Sequence, residues 1–160
     1  MKKVVECVPN FSEGRDKEKI ARIVNAIEPH DVKLCSVSSD PNHNRTVVTF
    51  VGEPDEVKEA AFQAILTASQ VINMSQHRGE HPRLGATDVC PFIPVSATMQ
   101  ECVQIARELG KRVGEELRIP VYLYGEAATV ETRRLLSSIR KGEYEGLKVK
   151  LEQEEWKPDY

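Results

Sequence analysis

The chain has 160 residues, 22 of them basic and 25 acidic, for a formal charge of -3, and 40% of it is hydrophobic. That balance excludes intrinsic disorder and fits one globular domain, residues 1–160, at the usual size of about 100–200 residues. Lys and Arg are interleaved with Asp and Glu, which argues against a nucleic-acid partner, and no apolar run approaches the roughly 18 residues of a membrane helix.

Residues 4–8 are mostly β-branched and stop at Pro9-Asn10, which predicts a first strand. Ile20, Ile23, Val24 and Ile27 recur at helical spacing, so residues 16–27 read as a helix ended by Pro29. Residues 32–37 read as a second strand, 38–44 as a turn-rich loop, and 46–51 as a third strand closed by Gly52. Pro54 sits where a helix favours proline, and Val57, Ala61, Ala64, Ala68, Val71 and Ile72 line one face of a long second helix. Its alanines imply close packing on a sheet. Gly79, Pro82 and Gly85 then forbid regular helix. Residues 89–95 read as a strand that Pro91 and Pro94 demote to a sheet edge or an irregular run. Thr98-Met99-Gln100-Glu101 is a capping box opening a third helix. Residues 120–124 predict a further strand, 129–140 a fourth helix, and 141–160 a charged surface tail.

The order strand–helix–strand–strand–helix–strand is the split βαβ pattern. The predicted class is α/β (α+β): a ferredoxin-like sheet with helices packed on one face, plus an extra strand and helices. In that topology the first two strands run parallel, with the third antiparallel between them. Residues 9–14, 40–45 and 77–88 then converge at one sheet edge. These segments are dense in Asn, Asp, Glu, His and Arg, and polar loops gathered by a rigid sheet are a common way to build an active site.

Within them, His77-Arg78-Gly79-Glu80-His81 spells a zinc-protease-like H-x-x-E-H. Zinc binding would need both histidines on one helix. Gly79 disfavours that helix and Pro82 pushes His81 out of the α region. The reading that survives takes His81 alone as an acid–base group, since imidazole exchanges a proton near neutral pH. The plainer alternative is a histidine that bonds a loop backbone. His77, at a helix end, reads as structural. Arg45 has the fork that grips a carboxylate, or else it makes a surface ion pair. Asn10 and Glu13 either contact a ligand or satisfy the turn after the first strand. No Walker loop, GxGxxG or GxSxG is present. Cys7, Cys35, Cys90 and Cys102 form no CxxC and read as small buried hydrophobes of a reducing compartment. The start, Met1-Lys2-Lys3-Val4-Val5-Glu6, offers no signal-peptide core, so the expected location is the cytoplasm.

Five blocks, in order, resemble the formiminotransferase family: Val5-Glu6-Cys7-Val8-Pro9-Asn10-Phe11-Ser12-Glu13-Gly14; Asn44-Arg45-Thr46-Val47; Gly79-Glu80-His81-Pro82-Arg83-Leu84-Gly85-Ala86 with Asp88-Val89-Cys90-Pro91-Phe92-Ile93-Pro94-Val95; Val121-Tyr122-Leu123-Tyr124-Gly125-Glu126-Ala127-Ala128; and Glu155-Trp156-Lys157-Pro158-Asp159. The resemblance implies transfer of a formimino group from N-formimino-L-glutamate to tetrahydrofolate, a co-substrate, in histidine degradation and one-carbon metabolism. It implies two similar α/β halves with the folate in a groove between them, and it covers the first half. It places the family's catalytic histidine on His81. Asn10, Asp40, Arg45 and Arg83 become the expected substrate contacts, with no metal. Implied partners are the two small substrates, and either a second copy of the chain or a separate carboxy-terminal half. The alternative is a non-catalytic folate-binding or partner-docking module.

Overall fold

Four strand lines and their cover of helices organise the chain. The computed structural model describes residues 2–79 and 82–160. β1 (Val5–Cys7) and β2 (Asn10–Phe11) are one line interrupted at Val8-Pro9. Both pair antiparallel with β4 (Arg45–Gly52) in a single register, Val5 opposite Gly52 and Asn10 opposite Val47. Proline has no amide to give, but the Pro9 carbonyl still accepts from Val48 N at 3.1 Å, so the ladder runs through the gap. β5 (Thr87–Val89) and β6 (Phe92–Pro94) form the next line out, antiparallel to β2 and β1. β3 (Val32–Asp40) flanks β4 on the other side. Across the sheet the order is β6–β1–β4–β3, and β1 and β3 run parallel across β4, as the split βαβ pattern requires.

The helices α1 (Lys17–Ile27), α2 (Pro54–Val71) and α3 (Met99–Arg112) cover one face. Alternation in β1 and β4 sends Val5, Cys7, Val48 and Phe50 into that side, each fully buried. They meet Ile23 and Ile27 of α1 and the small face of α2, including Ala60, Ala61, Ala64 and Ala68. The Asp16 side chain caps α1, and Thr98 caps α3 through Glu101 N. On the opposite face Glu6, Val8, Asn10, Val47, Thr49 and Val51 are half-buried and Ile93 is exposed. Among the described residues no helix is long and apolar enough to cross a membrane.

Several expectations need correction. The second strand extends through Ser38, Ser39 and Asp40, because their pairing with Val47, Thr46 and Arg45 overrides a turn-like composition. The Ser39 and Thr46 hydroxyls bond across the pair at 2.9 Å. Cys35 is exposed, at the register shift of that edge strand. Residues 120–124 form no strand. Their backbone partner is the end of the chain: Val121 N donates to Tyr160 O at 3.2 Å and Asp159 N to Val121 O at 2.8 Å. The expected fourth helix is a 3-10 turn, Glu131–Arg133, and a short α4 (Leu136–Arg140), since Leu135 between them is extended. Residues 141–160 are no loose tail. They fold into α5 (Glu143–Leu151) and a 3-10 turn at Glu154–Trp156.

Candidate active site

The three polar segments do meet at one sheet edge. Asn44, at the end of the β3–β4 turn, is the hub. It takes a left-handed backbone, φ 52°, which asparagine tolerates. Its Oδ1 accepts from Gly14 N at 2.8 Å and its Nδ2 donates to Arg78 O at 3.1 Å. Thr46 Oγ1 donates to Glu13 O at 2.5 Å. Ser12 donates twice into the third segment, N to Ala86 O at 2.8 Å and Oγ to Gly85 O at 2.7 Å. Two glycines permit the approach. A Cβ on Gly14 would overlap the Asp40 carbonyl and the Arg45 amide, and one on Gly79 would overlap the His43 carbonyl.

His77 and Arg83 tie this edge together from inside. His77 is buried. Arg83 Nε donates to His77 Nδ1 at 2.9 Å, so the ring accepts there and carries its proton on Nε2, 3.0 Å from Asn44 O. Both ring nitrogens of His77 are thus engaged within the chain, while Glu80 and His81 of the H-x-x-E-H spelling lie outside the described residues. The Arg83 guanidinium, its side chain 7% exposed, forks onto Glu145 at 2.8 and 2.5 Å and reaches Glu143 at 3.0 Å. The fork holds the Glu145 carboxyl down to about 2 from its ordinary 4.5. Tyr144 N also donates to Arg83 O at 3.1 Å, so α5 is fastened to this loop through backbone and side chains together.

The other expected residues sit as follows. Arg45 opens β4 opposite Asp40 and is half-buried. With Ser12, His43, Asn44, His77, Arg83 and Asp88 it lines a space of about 10 Å³, room for roughly one water. The Asp40 carboxylate is committed to the hairpin, accepting from Asn42 N at 2.9 Å, His43 N at 3.1 Å and His43 Nδ1 at 2.5 Å. The His43 hydrogen bond holds its pKa below the usual carboxylate value. Asn10 Nδ2 turns back to Val8 O at 3.1 Å, and Glu13 Oε2 accepts from Arg15 N and Asp16 N at 3.0 Å each. Both act locally as they stand. His81 and its neighbour Glu80 lie outside the described residues. The chain on either side of them is anchored, at Arg78 by Asn44 and at Arg83, Gly85 and Ala86 by α5 and Ser12. A larger apolar cavity of about 430 Å³ lies between α3 and residues 120–127 and meets this loop only around Leu84 and Asp88.

Residues 4–160 match the family described as "Formiminotransferase domain, N-terminal subdomain". The chain belongs to the formiminotransferase family. It is 56% identical to a formimidoyltransferase-cyclodeaminase of Mus musculus, over all of this chain and 30% of that protein. It is 55% identical to a glutamate formimidoyltransferase of Thermoplasma acidophilum, over 98% of this chain and 53% of that protein. A glutamate formimidoyltransferase of Streptococcus pyogenes is 49% identical over all of this chain and 54% of its own length. The chain thus spans about a third to a half of these relatives.

The formiminotransferase blocks sort by contact. The first three, through Ser12-Glu13-Gly14, Asn44-Arg45, Gly79 and Arg83 to Ala86, meet at the candidate site. The last two meet each other, where residues 121–123 pair with 159–160. Sequence reasoning missed Glu143 and Glu145, which were hidden in an apparent charged tail, and it named His77 as structural, which its buried bonds to Asn44 and Arg83 agree with.

Proposed function

We propose that this chain is the first half of a transferase that moves the formimino group from N-formimino-L-glutamate to tetrahydrofolate, with His81 as general acid and base. The observation that carries this reading is the meeting of residues 12–14 and 43–45 with 77–79 and 83–86 at one sheet edge, in a chain of the formiminotransferase family. The folate N5 attacks the formimino carbon and gives a tetrahedral intermediate. The attacking nitrogen must lose a proton and the departing glutamate nitrogen must gain one. One imidazole of near-neutral pKa serves both transfers in turn. Arg45 or Arg83 takes a glutamate carboxylate, a match for a planar guanidinium fork.

The uncovered sheet face supports a second half. Val47, Val51 and Ile93 lie there among Glu6, Asn10 and Arg45, none of them buried. An apolar strip with a polar margin fits a partner layer and a groove between. The reaction is therefore to be assayed with the second half present. His81→Ala should lower turnover about 10²–10⁴-fold with an unchanged melting curve. A folded variant of full rate would remove His81 from the mechanism.

A further inference from the structure

The Arg83 guanidinium is almost fully enclosed, and the carboxylates it holds belong to this chain. Its Nε is spent on His77, while both Nη groups face Glu143 and Glu145. Two carboxylates share one cation, so one of them is in excess. The glutamates reach Arg83 from the solvent side: Glu145 is 61% exposed and Glu143 46%, against 7% for the arginine. A carboxylate arriving from solvent would approach the same two Nη groups along the same path. The turn that presents the glutamates is strained. Gly142 has φ 90° and Glu143, which is not glycine, has φ 53°. Backbone held this way is characteristic of clamps and switches. Glu145 also borders an open groove of about 580 Å³ lined by Met74, Arg78, Tyr144 and Lys148. Arg78 already acts on the Glu145 charge, so a Glu145 that leaves Arg83 has space to enter and another cation to face.

We propose that Arg83 is a carboxylate subsite which Glu145 fills in the absence of substrate, and that a carboxylate of the dicarboxylate substrate displaces Glu145 into the groove beside Arg78. This rests on the reading of Arg83 as a substrate contact and adds an internal competitor to it. The exchange makes and breaks no covalent bond. One bidentate charge-assisted pair replaces another of the same geometry, so its cost is the small one of parting a pair whose carboxylate already lies in solvent. It also predicts coupling: ligand at Arg83 loosens the hold of the loop on α5.

The test is a titration of the chain with glutarate and with L-glutamate, followed by the Arg83 Nε–H resonance. Glu145→Gln keeps the shape and removes the competing charge. It should bind both probes about 3–5-fold more tightly than the unsubstituted chain, the factor by which an exposed ion pair resists displacement. Glu143→Gln should shift affinity less, and Arg83→Lys, which retains the charge but loses the fork, should weaken both probes. Equal or weaker binding by Glu145→Gln would overturn the proposal and make Glu145 a support that positions Arg83. No binding to either protein would overturn it as well. Transfer activity is measured separately: if it is lacking with the second half present, the transferase reading falls, while tighter glutarate binding by Glu145→Gln still stands.

Discussion

The sheet with its three helices and the segment after residue 117 are held by different forces. In the first, interior positions are apolar and periodic: Val5, Cys7, Val48 and Phe50 from the strands, Ile23, Ile27, Ala60 and Ala64 from the helices. In the second, Leu123, Ala127 and Ile139 are the buried hydrophobes, and beside them two cations are buried, Arg133 and Lys150. Arg133 donates to Glu155 O at 3.1 Å and Lys157 O at 2.7 Å, pairs with Asp159 at 3.2 Å, and lies over the Tyr122 and Trp156 rings. Lys150 donates to Ser138 O, Ile139 O and Lys141 O at the end of α4, 4.1 Å from the Trp156 ring centre. Desolvation there lowers its pKa. Where apolar side chains are too few to close a layer, long cations gather backbone carbonyls and take the place of a core.

The largest effects should come from striking each region at its own support. Phe50→Ala should cost about 3–5 kcal/mol of global stability through the cavity it leaves. Arg133→Met should cost a similar ~3–5 kcal/mol, since it leaves the largely enclosed Asp159 carboxylate without its cation. The two differ in reach. In Arg133→Met, hydrogen exchange at the Val121 and Leu123 amides, which bond Tyr160 and Asp159, should accelerate while β4 amides keep their protection. Equal loss in β4 would show one cooperative unit and erase the distinction. A smaller effect belongs to the site edge. Gly14→Ala pushes a methyl into the β3–β4 turn and should cost about 1–3 kcal/mol. An unchanged urea midpoint would mean that the turn yields freely.

The same contrast decides what was legible. The sheet order followed from periodicity and from Pro and Gly punctuation, because apolar burial writes itself as a repeat. The convergence of residues 9–14, 40–45 and 77–88 followed from topology alone. The region after 117 was read poorly. Arg133 and Lys150 look like surface charges in the sequence, and no period marks a cation that will collect carbonyls. The expected helix over 129–140 splits because Arg133 turns inward to those partners. Glu143 and Glu145 passed for tail residues for the same reason. Their role depends on Arg83, about sixty positions earlier, and a pairing at that distance leaves no local trace.

That pairing is the seam between the two regions, and pH tests it with the smallest expected signal. Glu145 has an ordinary pKa of 4.5 and is held down to about 2 by Arg83. A carboxyl depressed in the folded state binds protons more readily when unfolded, so its contribution is complete above about pH 4.5 and fades as pH falls toward 2. Glu145→Gln lacks the titration. Glu145 is largely exposed, so solvent screens the pair, and the stability difference between the two proteins at neutral pH should be about 1 kcal/mol or less. It should shrink to nothing between roughly pH 5 and 2 in paired urea melts. A difference that stays constant down to pH 2 would mean that something other than the carboxylate charge joins α5 to the loop. High salt separates the same alternatives at neutral pH, because it weakens an exposed ion pair and leaves the backbone bond from Tyr144 N to Arg83 O in place.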